Sequence, residues 1–287
     1  MKVDEKVSMF SNAIGSIMKT QENNTVVNPE DYEGENGLMY CGKCNTPKQC
    51  EISFLGMTKR PFCLCKCEQE KREKAEAEKK RIEKEQAITR NKNIAFSDCA
   101  EMRYWTFEND NKEKPELSNA ALKYVENFEK FKNDGKGLLF YGSVGTGKSY
   151  ISACIANALL DKGYSVLMTS FAIIENKAFS TNDKQEYYDS LNKYSLLIID
   201  DLGIERQTSY MQEIVYNVID SRSRTGLPLI VTSNLTNDQL KNPSDINAQR
   251  VYSRLLKMCH PIMVNGEDRR KNKAMQDYAE TKALLGI

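Results

Sequence analysis

Eight residues of this 287-residue chain have the types and order of a loop that cradles phosphate groups. The stretch Gly142–Ser149 reads GSVGTGKS and matches the pattern G-x-x-x-x-G-K-[ST]. Its glycines let successive backbone N–H groups turn inward toward phosphate oxygens. Lys148 offers a positive charge to the β- and γ-phosphates, and the Ser149 hydroxyl can bind Mg²⁺. The residues predicted to surround ATP or ADP are Gly142, Ser143, Val144, Gly145, Thr146, Gly147, Lys148, Ser149 and Tyr150.

The segments on either side of the loop favour this interpretation over a chance match. Residues 137–141 (GLLFY) form a short apolar run that is typical of a buried strand. Residues 150–160 (YISACIANALL) are rich in Ala, Ile and Leu and indicate a buried helix. A phosphate-binding loop requires this context, in which a strand leads into the glycine loop and a helix follows it.

Two acidic residues, Asp200 and Asp201, follow the apolar run Leu196–Ile199. Acidic pairs after strands also occur as ordinary turn residues, but a phosphate loop needs carboxylates for Mg²⁺ and for the attacking water. We expect Asp200 to hold Mg²⁺, through water, and Asp201 to polarise the water.

Other polar residues are weaker candidates when taken alone. Asn234 ends the run LIVTSN and could hydrogen-bond the γ-phosphate or the water. Arg250 and Arg254 share one helical face, where a solvated surface is the simpler interpretation. The basic cluster Asp268–Lys271 suits a surface, a phosphate sensor or a DNA contact equally well.

The cysteines suggest a second site, because six of the nine lie between residues 41 and 67. A C-x-x-C pair is followed about twenty residues later by C-x-C-x-C, which suits a tetrahedral structural zinc with four thiolates. Free or redox-active thiols are the alternative. The single histidine, His260, lies far away in sequence, so the site must be all-cysteine. The expected ligands are Cys41, Cys44, Cys65 and Cys67, with Cys63 or Cys50 as substitutes.

The pattern along the chain predicts three regions. Residues 1–67 form an N-terminal region that contains an amphipathic helix at 7–18 and the zinc module at about 37–67. Residues 68–92 mix Lys, Arg and Glu without an apolar face, which indicates a solvated helical linker. Residues 93–287 alternate strands and helices, which predicts an α/β domain with a parallel sheet flanked by helices. We predict strands at 137–141, 164–168, 195–199 and 227–232, and helices at 148–161 and 208–222.

Composition excludes some partners. Lys and Arg number 41 against 40 Asp and Glu, so the net charge of +1 gives no global attraction to nucleic acid or membranes. No apolar run approaches the roughly 20 residues of a membrane span, and the first residues lack the apolar core of a signal peptide. We therefore expect a cytoplasmic protein with no membrane partner.

The motifs GSVGTGKS, LLIIDDLGIER, PLIVTSNL, RVYSRLL and GEDRRK occur in this order, behind CGKC and CLCKCEQEKREK. Together they resemble the bacterial and phage helicase loaders of the DnaC/DnaI type, which are AAA+ ATPases related to IstB-like ATP-binding proteins. The resemblance covers about residues 41–287. It implies an AAA+ core from about residue 93 that binds single-stranded DNA and associates with copies of itself. It also implies an N-terminal region that grips a DnaB-type replicative helicase.

The resemblance also assigns roles by position. Asn234 resembles sensor 1, and Arg254 resembles the arginine finger that reaches a neighbour's γ-phosphate, with Arg250 as a nearby alternative. Arg270 resembles sensor 2, although Arg269 is adjacent. Asp201 stands where many AAA+ proteins have Glu, and this shorter acid implies slow hydrolysis, which we expect DNA to stimulate.

Three functions follow from these observations. The leading one is an ATP-dependent helicase loader, because a zinc module followed by a charged helix suits a helicase-gripping arm. The second is a transposition helper ATPase of the IstB type, which shares nearly the same core. The third is a zinc-containing DNA-binding regulator with a structural ATP site. The presence of Lys148 together with Asp200 and Asp201 disfavours this function, because these residues suit hydrolysis.

Overall fold

The computed structural model describes residues 28–54, 56–203, 209–243 and 246–287. Its contacts divide the chain into two compact units that meet at Glu85 and Gln86. The helix predicted at 7–18 lies outside the described residues.

The first unit contains two small antiparallel hairpins. Strands β1 (Tyr32–Glu33) and β2 (Met39–Tyr40) form one hairpin, and β3 (Ile52–Phe54) and β4 (Met57–Lys59) form the other. Strands of two or three residues bury little apolar surface, so another interaction must hold this unit together.

The charged tract is helical, as predicted. Helix α1 spans Lys66–Ala95, and the division between the two units falls within it. Its charges pair along the helix, for example in the 2.7 Å ion pair between Lys80 and Glu76. Ala95 is its one buried residue, so water rather than packing surrounds most of this helix.

The second unit is built on a five-stranded sheet with the order β6-β7-β8-β5-β9, in which all paired strands are parallel. The strands are β5 (Gly137–Tyr141), β6 (Val166–Ser170), β7 (Leu196–Leu202), β8 (Leu229–Ser233) and β9 (Cys259–Met263). The strands β7 and β8 begin with the unbroken apolar runs Leu196–Ile199 and Leu229–Val231, as expected when both faces of a sheet are covered.

Helices cover both faces of this sheet. Alternate strand residues point to opposite sides, so that Leu138 and Ile198 join one buried cluster while Leu139 and Ile199 join the other. The helices are α2 (Pro115–Glu126), α3 (Phe128–Asn133), α4 (Lys148–Asp161), α5 (Phe171–Ser180), α6 (Lys184–Leu191), α7 (Ser209–Thr225), α8 (Asn237–Lys241), α9 (Ile246–Met258) and α10 (Arg269–Leu285), with a 3₁₀ helix at Ala100–Tyr104. The clusters contain α2, α3 and α4 on one face and α5 to α9 on the other. The predicted fold class, a parallel sheet flanked by helices, is confirmed.

Element boundaries depart from the sequence prediction in several places; β8, for example, spans Leu229–Ser233 where 227–232 was predicted. β6 begins at Val166 rather than at 164, because Lys162 and Gly163 form a turn, after which the Tyr164 amide donates to the Leu159 carbonyl. β7 continues through the acidic pair to Leu202. β9 was not predicted, since its sequence CHPIM lacks an apolar run.

Candidate functional site

The phosphate loop lies between the end of β5 and the start of α4. Three of its glycines, Gly142, Gly145 and Gly147, have positive φ angles of 130°, 75° and 95°. A Cβ built on Gly145 would lie 1.7 Å from a carboxylate oxygen of Asp268, so a side chain there would require Asp268 to move. The conformation and the close approach together explain the glycines of this loop.

Lys148 is the first residue of α4 and is buried, with 5% exposure. Its ammonium donates to the carbonyl oxygens of Gly142 and Ser143, at 3.0 Å and 2.6 Å. Burial lowers the pKa of Lys148, while the charges of Asp201 and Asp200 act in the opposite direction. A desolvated cation at the mouth of the loop is suited to attract phosphate oxygens.

The acidic pair lies at an irregularity in β7. The register against β8 shifts between Ile199 and Leu202, and Asp201 adopts a left-handed φ of 61°. Burial raises the pKa of Asp200. Hydrogen bonds from Thr232 and Ser149 act in the opposite direction and partly offset this rise. A partly buried carboxylate beside the Ser149 hydroxyl is a suitable binding site for Mg²⁺.

A cavity of about 340 Å³ opens over the phosphate loop. Its lining residues are Trp105, Val144, Gly145, Thr146, Gly147, Lys148, Ser149, Tyr150, Asp201, Asn234, Arg269 and Arg270. Asn234 donates from its side-chain amide to the Asp201 carboxylate at 3.4 Å. The structure therefore brings Lys148, Asp201, Asn234 and Arg270 together at one cavity, and the Asp200 carboxylate is hydrogen-bonded to the lining residue Ser149.

The two adjacent arginines have different environments. Arg269 forms an ion pair with Glu113 at 3.1 Å and donates to the side chain of Asn111 at 3.4 Å. Arg270 also lines the cavity, and its charge acts to lower the pKa of Asp200. No ion pair of Arg270 occurs among the described residues. This geometry favours Arg270 as the arginine available to nucleotide.

Arg254 is not part of this cavity. Its guanidinium pairs with Asp220 at 3.0 Å and lies over the Tyr216 ring, 4.6 Å from its centre. Arg254 also donates to the Tyr216 hydroxyl at 2.9 Å. Arg250, one turn earlier on α9, is exposed. Neither arginine lines the phosphate loop of its own chain.

Sequence reasoning missed two contributors to the site. Trp105 lines the cavity, with its ring centre 5.6 Å from that of Tyr150. Lys114 donates to the carbonyl of Thr146 at 3.0 Å and so supports the loop from outside. The sole tryptophan of the chain was a visible signal, but no local pattern connects either residue to the loop.

The first unit brings four cysteines together. The sulfur atoms of Cys41, Cys44, Cys65 and Cys67 all lie within 4.8 Å of one another. The sulfur of Cys67 lies 3.6 Å from that of Cys41 and 3.3 Å from that of Cys65. Zinc–sulfur bonds of about 2.3 Å in a tetrahedron require sulfur separations of about 3.8 Å. The arrangement could therefore hold a structural zinc ion.

The substitute ligands are directed elsewhere. Cys63 donates to the Pro47 carbonyl and Cys50 to the Pro61 carbonyl, at sulfur–oxygen distances of 3.6 Å and 3.8 Å. Neither joins the group of four sulfurs. The spacing of the cysteines left this choice open, and the structure favours Cys65 and Cys67.

The surroundings of the four sulfurs act on the thiols in opposite directions, and burial raises the pKa of the Cys65 thiol. Hydrogen bonding by Thr46 lowers the pKa of the Cys44 thiol to about 6, which favours the thiolate. Lys48 is buried and pairs with Asp31 at 2.8 Å. Although burial opposes its charge, the pKa of Lys48 is raised by Asp31, Glu68 and Cys65. A buried ammonium would partly balance the negative charge of four thiolates.

No helix among the described residues is long and apolar enough to cross a membrane.

Several known proteins are similar to this chain in sequence. The replicative helicase loader DnaI of Bacillus subtilis is 31% identical over 167 residues, which are 53% of this chain and 54% of that protein. The replicative helicase loader DnaC of Escherichia coli is 30% identical over 155 residues, 52% of this chain and 62% of that protein. The chain thus matches little more than half of the length of these relatives.

A crystal structure of DnaI is 25% identical, with a TM-score of 0.49, and the match covers 59% of this chain and 92% of that one. The model of the family described as IstB-like ATP binding protein matches residues 69–277, most of the chain, including every element of the nucleotide cavity. This chain belongs to the family of IstB-like ATP-binding proteins.

Proposed function

We propose that this chain is an ATP-dependent loader that places a DnaB-type replicative helicase on single-stranded DNA. The observation that carries the proposal is that a chain with an assembled nucleotide cavity matches two proteins named replicative helicase loaders. ATP binding and hydrolysis would switch the contacts with helicase and DNA, as γ-phosphate and Mg²⁺ order switch segments in other nucleotide-driven proteins.

The cavity residues support ATP hydrolysis with the following roles. Lys148 would transfer its hydrogen bonds from the loop carbonyls to the β- and γ-phosphates. Ser149 and Asp200 would hold Mg²⁺, which neutralises phosphate charge when bound. Asp201 would polarise the attacking water, and its 3.4 Å contact with Asn234 supports a shared orientation of the two side chains. We infer slow hydrolysis that DNA accelerates.

We infer further that a second copy of the chain completes the site. Arg254 lies outside the cavity of its own chain and is held by Asp220 and Tyr216. This preorganised arginine is suited to reach the γ-phosphate of a neighbouring copy, where it would stabilise the charge of the transition state. Arg270 would contact the γ-phosphate from within the chain.

The four-cysteine cluster suits a structural role for zinc, because four protein ligands leave no open coordination position. We propose that the metal folds the N-terminal region into a unit that grips the helicase. The exposed, charged helix α1 would link this grip to the ATPase unit.

A second candidate function is a helper ATPase in transposition, which the IstB-like family match favours. The two functions differ in partner, because one predicts binding to a replicative helicase and the other to a transposase. A zinc-containing DNA-binding regulator with a structural ATP site is less favoured, since Asp200 and Asp201 lie beside Ser149 and Lys148 as hydrolysis requires.

The experiment that tests the proposal is to mix the purified chain with the replicative helicase of the same source and measure the mass of the complex, with and without ATP. We expect a defined complex whose stability depends on the nucleotide. Asp201→Asn should form the complex with ATP but fail to release the helicase. Absence of a complex in both states, or normal release by Asp201→Asn, would count against the loader.

A further inference from the structure

The end of strand β8 carries two hydroxyl side chains where apolar ones would be expected. Leu229, Ile230 and Val231 are fully buried, and so are Thr232 and Ser233, each with 0% exposure. A buried hydroxyl is unfavourable unless it is hydrogen-bonded, and valine has almost the same shape as threonine. The hydroxyls must therefore be explained by what they bond.

The Thr232 hydroxyl bonds both members of the acidic pair. It donates to the Asp200 carboxylate at 2.6 Å and accepts from the backbone amide of Asp201 at 2.8 Å. The β7–β8 register shifts between Ile199 and Leu202, so the regular ladder is interrupted at Asp201. The hydroxyl supplies the acceptor that this partly buried backbone amide needs.

The neighbouring residues of β8 secure the rest of the irregularity. Ser233 donates to the Leu202 carbonyl at 2.7 Å, where the ladder resumes, and Asn234 donates to the Asp201 carboxylate at 3.4 Å. Asp201 keeps a left-handed φ of 61°, which is uncommon for a residue other than glycine. Aspartate tolerates this conformation better than most residues, and the hydrogen bonds with Thr232 and Asn234 hold it there.

This backbone conformation decides where the two carboxylates point. In a regular strand, consecutive side chains point to opposite faces of the sheet, so only one of the two acids could reach the nucleotide. Here Asp201 lines the cavity while the Asp200 carboxylate interacts with Ser149 at its edge. Both acids therefore reach the phosphate loop because the strand is irregular at this point.

We propose that Thr232 is a positioning residue for ATP hydrolysis: its single hydroxyl orients the Asp200 carboxylate and holds the Asp201 backbone in the left-handed conformation. The proposal rests on the ATPase activity proposed above. It concerns hydrolysis rather than nucleotide binding, because Thr232 does not line the cavity and its hydroxyl hydrogen-bonds the two acids.

The test compares Thr232→Val, which removes the hydroxyl and keeps the shape, with Thr232→Ser, which keeps the hydroxyl. Thr232→Val should lower kcat by about 10- to 100-fold, the usual effect of losing a group that orients a metal ligand. Its affinity for a fluorescent ATP analogue, measured with Mg²⁺ at equilibrium, should change less than about twofold. Thr232→Ser should restore most of kcat.

Thr169→Val is the matched control. Thr169 is also a buried threonine of the same sheet, with 5% exposure, but its hydroxyl donates to Asp98 instead of the acidic pair. This variant should keep the wild-type kcat. Wild-type kcat in Thr232→Val would overturn the proposal, as would a Thr232→Ser variant that is no better than Thr232→Val, or a fall in ATP affinity that matches the fall in kcat.

A structure of each variant separates this inference from the proposed function. In Thr232→Val we expect Asp201 to leave the left-handed region, whereas Thr232→Ser should retain φ near 61°. An inactive wild-type protein would contradict the ATPase function, while these structures would still decide the positioning role. An unchanged Asp201 conformation in Thr232→Val would show that the hydroxyl does not position it.

Discussion

The nucleotide cavity and the cysteine cluster rest on different kinds of support. The cavity stands at the end of a parallel sheet whose central residues, such as Leu139 and Ile198, are completely buried between helices. The cysteine cluster lies among hairpins with two- and three-residue strands. Within residues 28–53 and 56–65, the buried residues are Cys41, Lys48 and Cys65.

This difference indicates how each site forms. The apolar clusters of the second unit can fold the sheet and so place Lys148 and Asp201 before any ligand arrives. The first unit has no comparable core among its described residues, and its buried centre consists of thiols and one charged pair. We therefore propose that this unit depends on a bound metal for folding, as small metal-binding domains do.

The largest effect we expect is therefore from removal of the metal. Binding of a structural zinc supplies about 10–16 kcal/mol in zinc-finger peptides, far more than a unit of this size gains by burial. Chelation should release about one zinc per chain and expose residues 28–65 to limited proteolysis. The ATPase unit should remain resistant and keep its affinity for ATP.

Cys65→Ser and Cys50→Ser provide a matched pair for that experiment. Cys65 belongs to the group of four sulfurs, whereas Cys50 bonds the Pro61 carbonyl. Metal analysis should find zinc lost in the first variant and retained in the second. Equal loss in both, or a chelated protein that remains resistant to protease, would show that the cluster is not the centre of this unit.

The second largest effect should be on ATP hydrolysis at a site that two copies of the chain complete together. Arg254→Ala should lower kcat by a factor on the order of 10³, as expected when an arginine finger is removed. Mixing Arg254→Ala with Lys148→Ala should restore part of the activity, since one variant supplies an intact phosphate loop and the other an intact Arg254.

Arg250→Ala is the control, because Arg250 lies one turn away on the same helix and is exposed. It should hydrolyse ATP at the wild-type rate. If the mixture of inactive variants stays inactive, or if Arg250→Ala is the impaired one, the assignment of Arg254 is wrong.

The third effect is on nucleotide affinity. Lys148→Ala removes the buried ammonium that faces the phosphates, and we expect the dissociation constant for ATP to rise by about a hundredfold, the worth of one or two charge-assisted hydrogen bonds. Zinc content should not change. Titration with a fluorescent ATP analogue measures the dissociation constant, and metal analysis measures the zinc content. Unchanged affinity would mean that the loop does not bind phosphate through Lys148.

The smallest effect should come from the charged helix α1. Arg81 pairs with Glu78 and Glu85 at 2.7 Å and 2.6 Å, but all three side chains are more than half exposed. Exposed ion pairs contribute little because water screens them. Arg81→Ala should leave the melting temperature and the ATPase rate unchanged in thermal and kinetic assays. A clear loss of either would show that this helix does more than connect the two units.

Local patterns allowed the phosphate loop and its flanks to be predicted correctly. The strand at 137–141 and the helix at 148–161 agree with the structure at both ends, because an apolar strand, a glycine loop and a helix are all signalled by adjacent residues. The choice of Cys65 and Cys67 required the fold, since spacing alone did not separate them from Cys63.

The remaining features depend on contacts between distant parts of the chain. β7 was expected to end before the acids, but Thr232 and Ser233 hold its irregular continuation to Leu202. The Lys114 ammonium bonds the Asn265 carbonyl across 151 positions of sequence, which no local pattern can reveal. β9 contains His260 and Pro261 and is recognisable as a strand only by its pairing with β5.

The central claim is that ATP held at this cavity drives the loading of a replicative helicase. It is tested most directly on closed circular single-stranded DNA, where a ring helicase cannot thread onto a free end. We would measure helicase bound to the circles in the presence of the chain, with ATP, without ATP and with Lys148→Ala. The account predicts bound helicase only with the wild-type chain and ATP. Equal loading without ATP or with Lys148→Ala, or no loading under any condition, would contradict it.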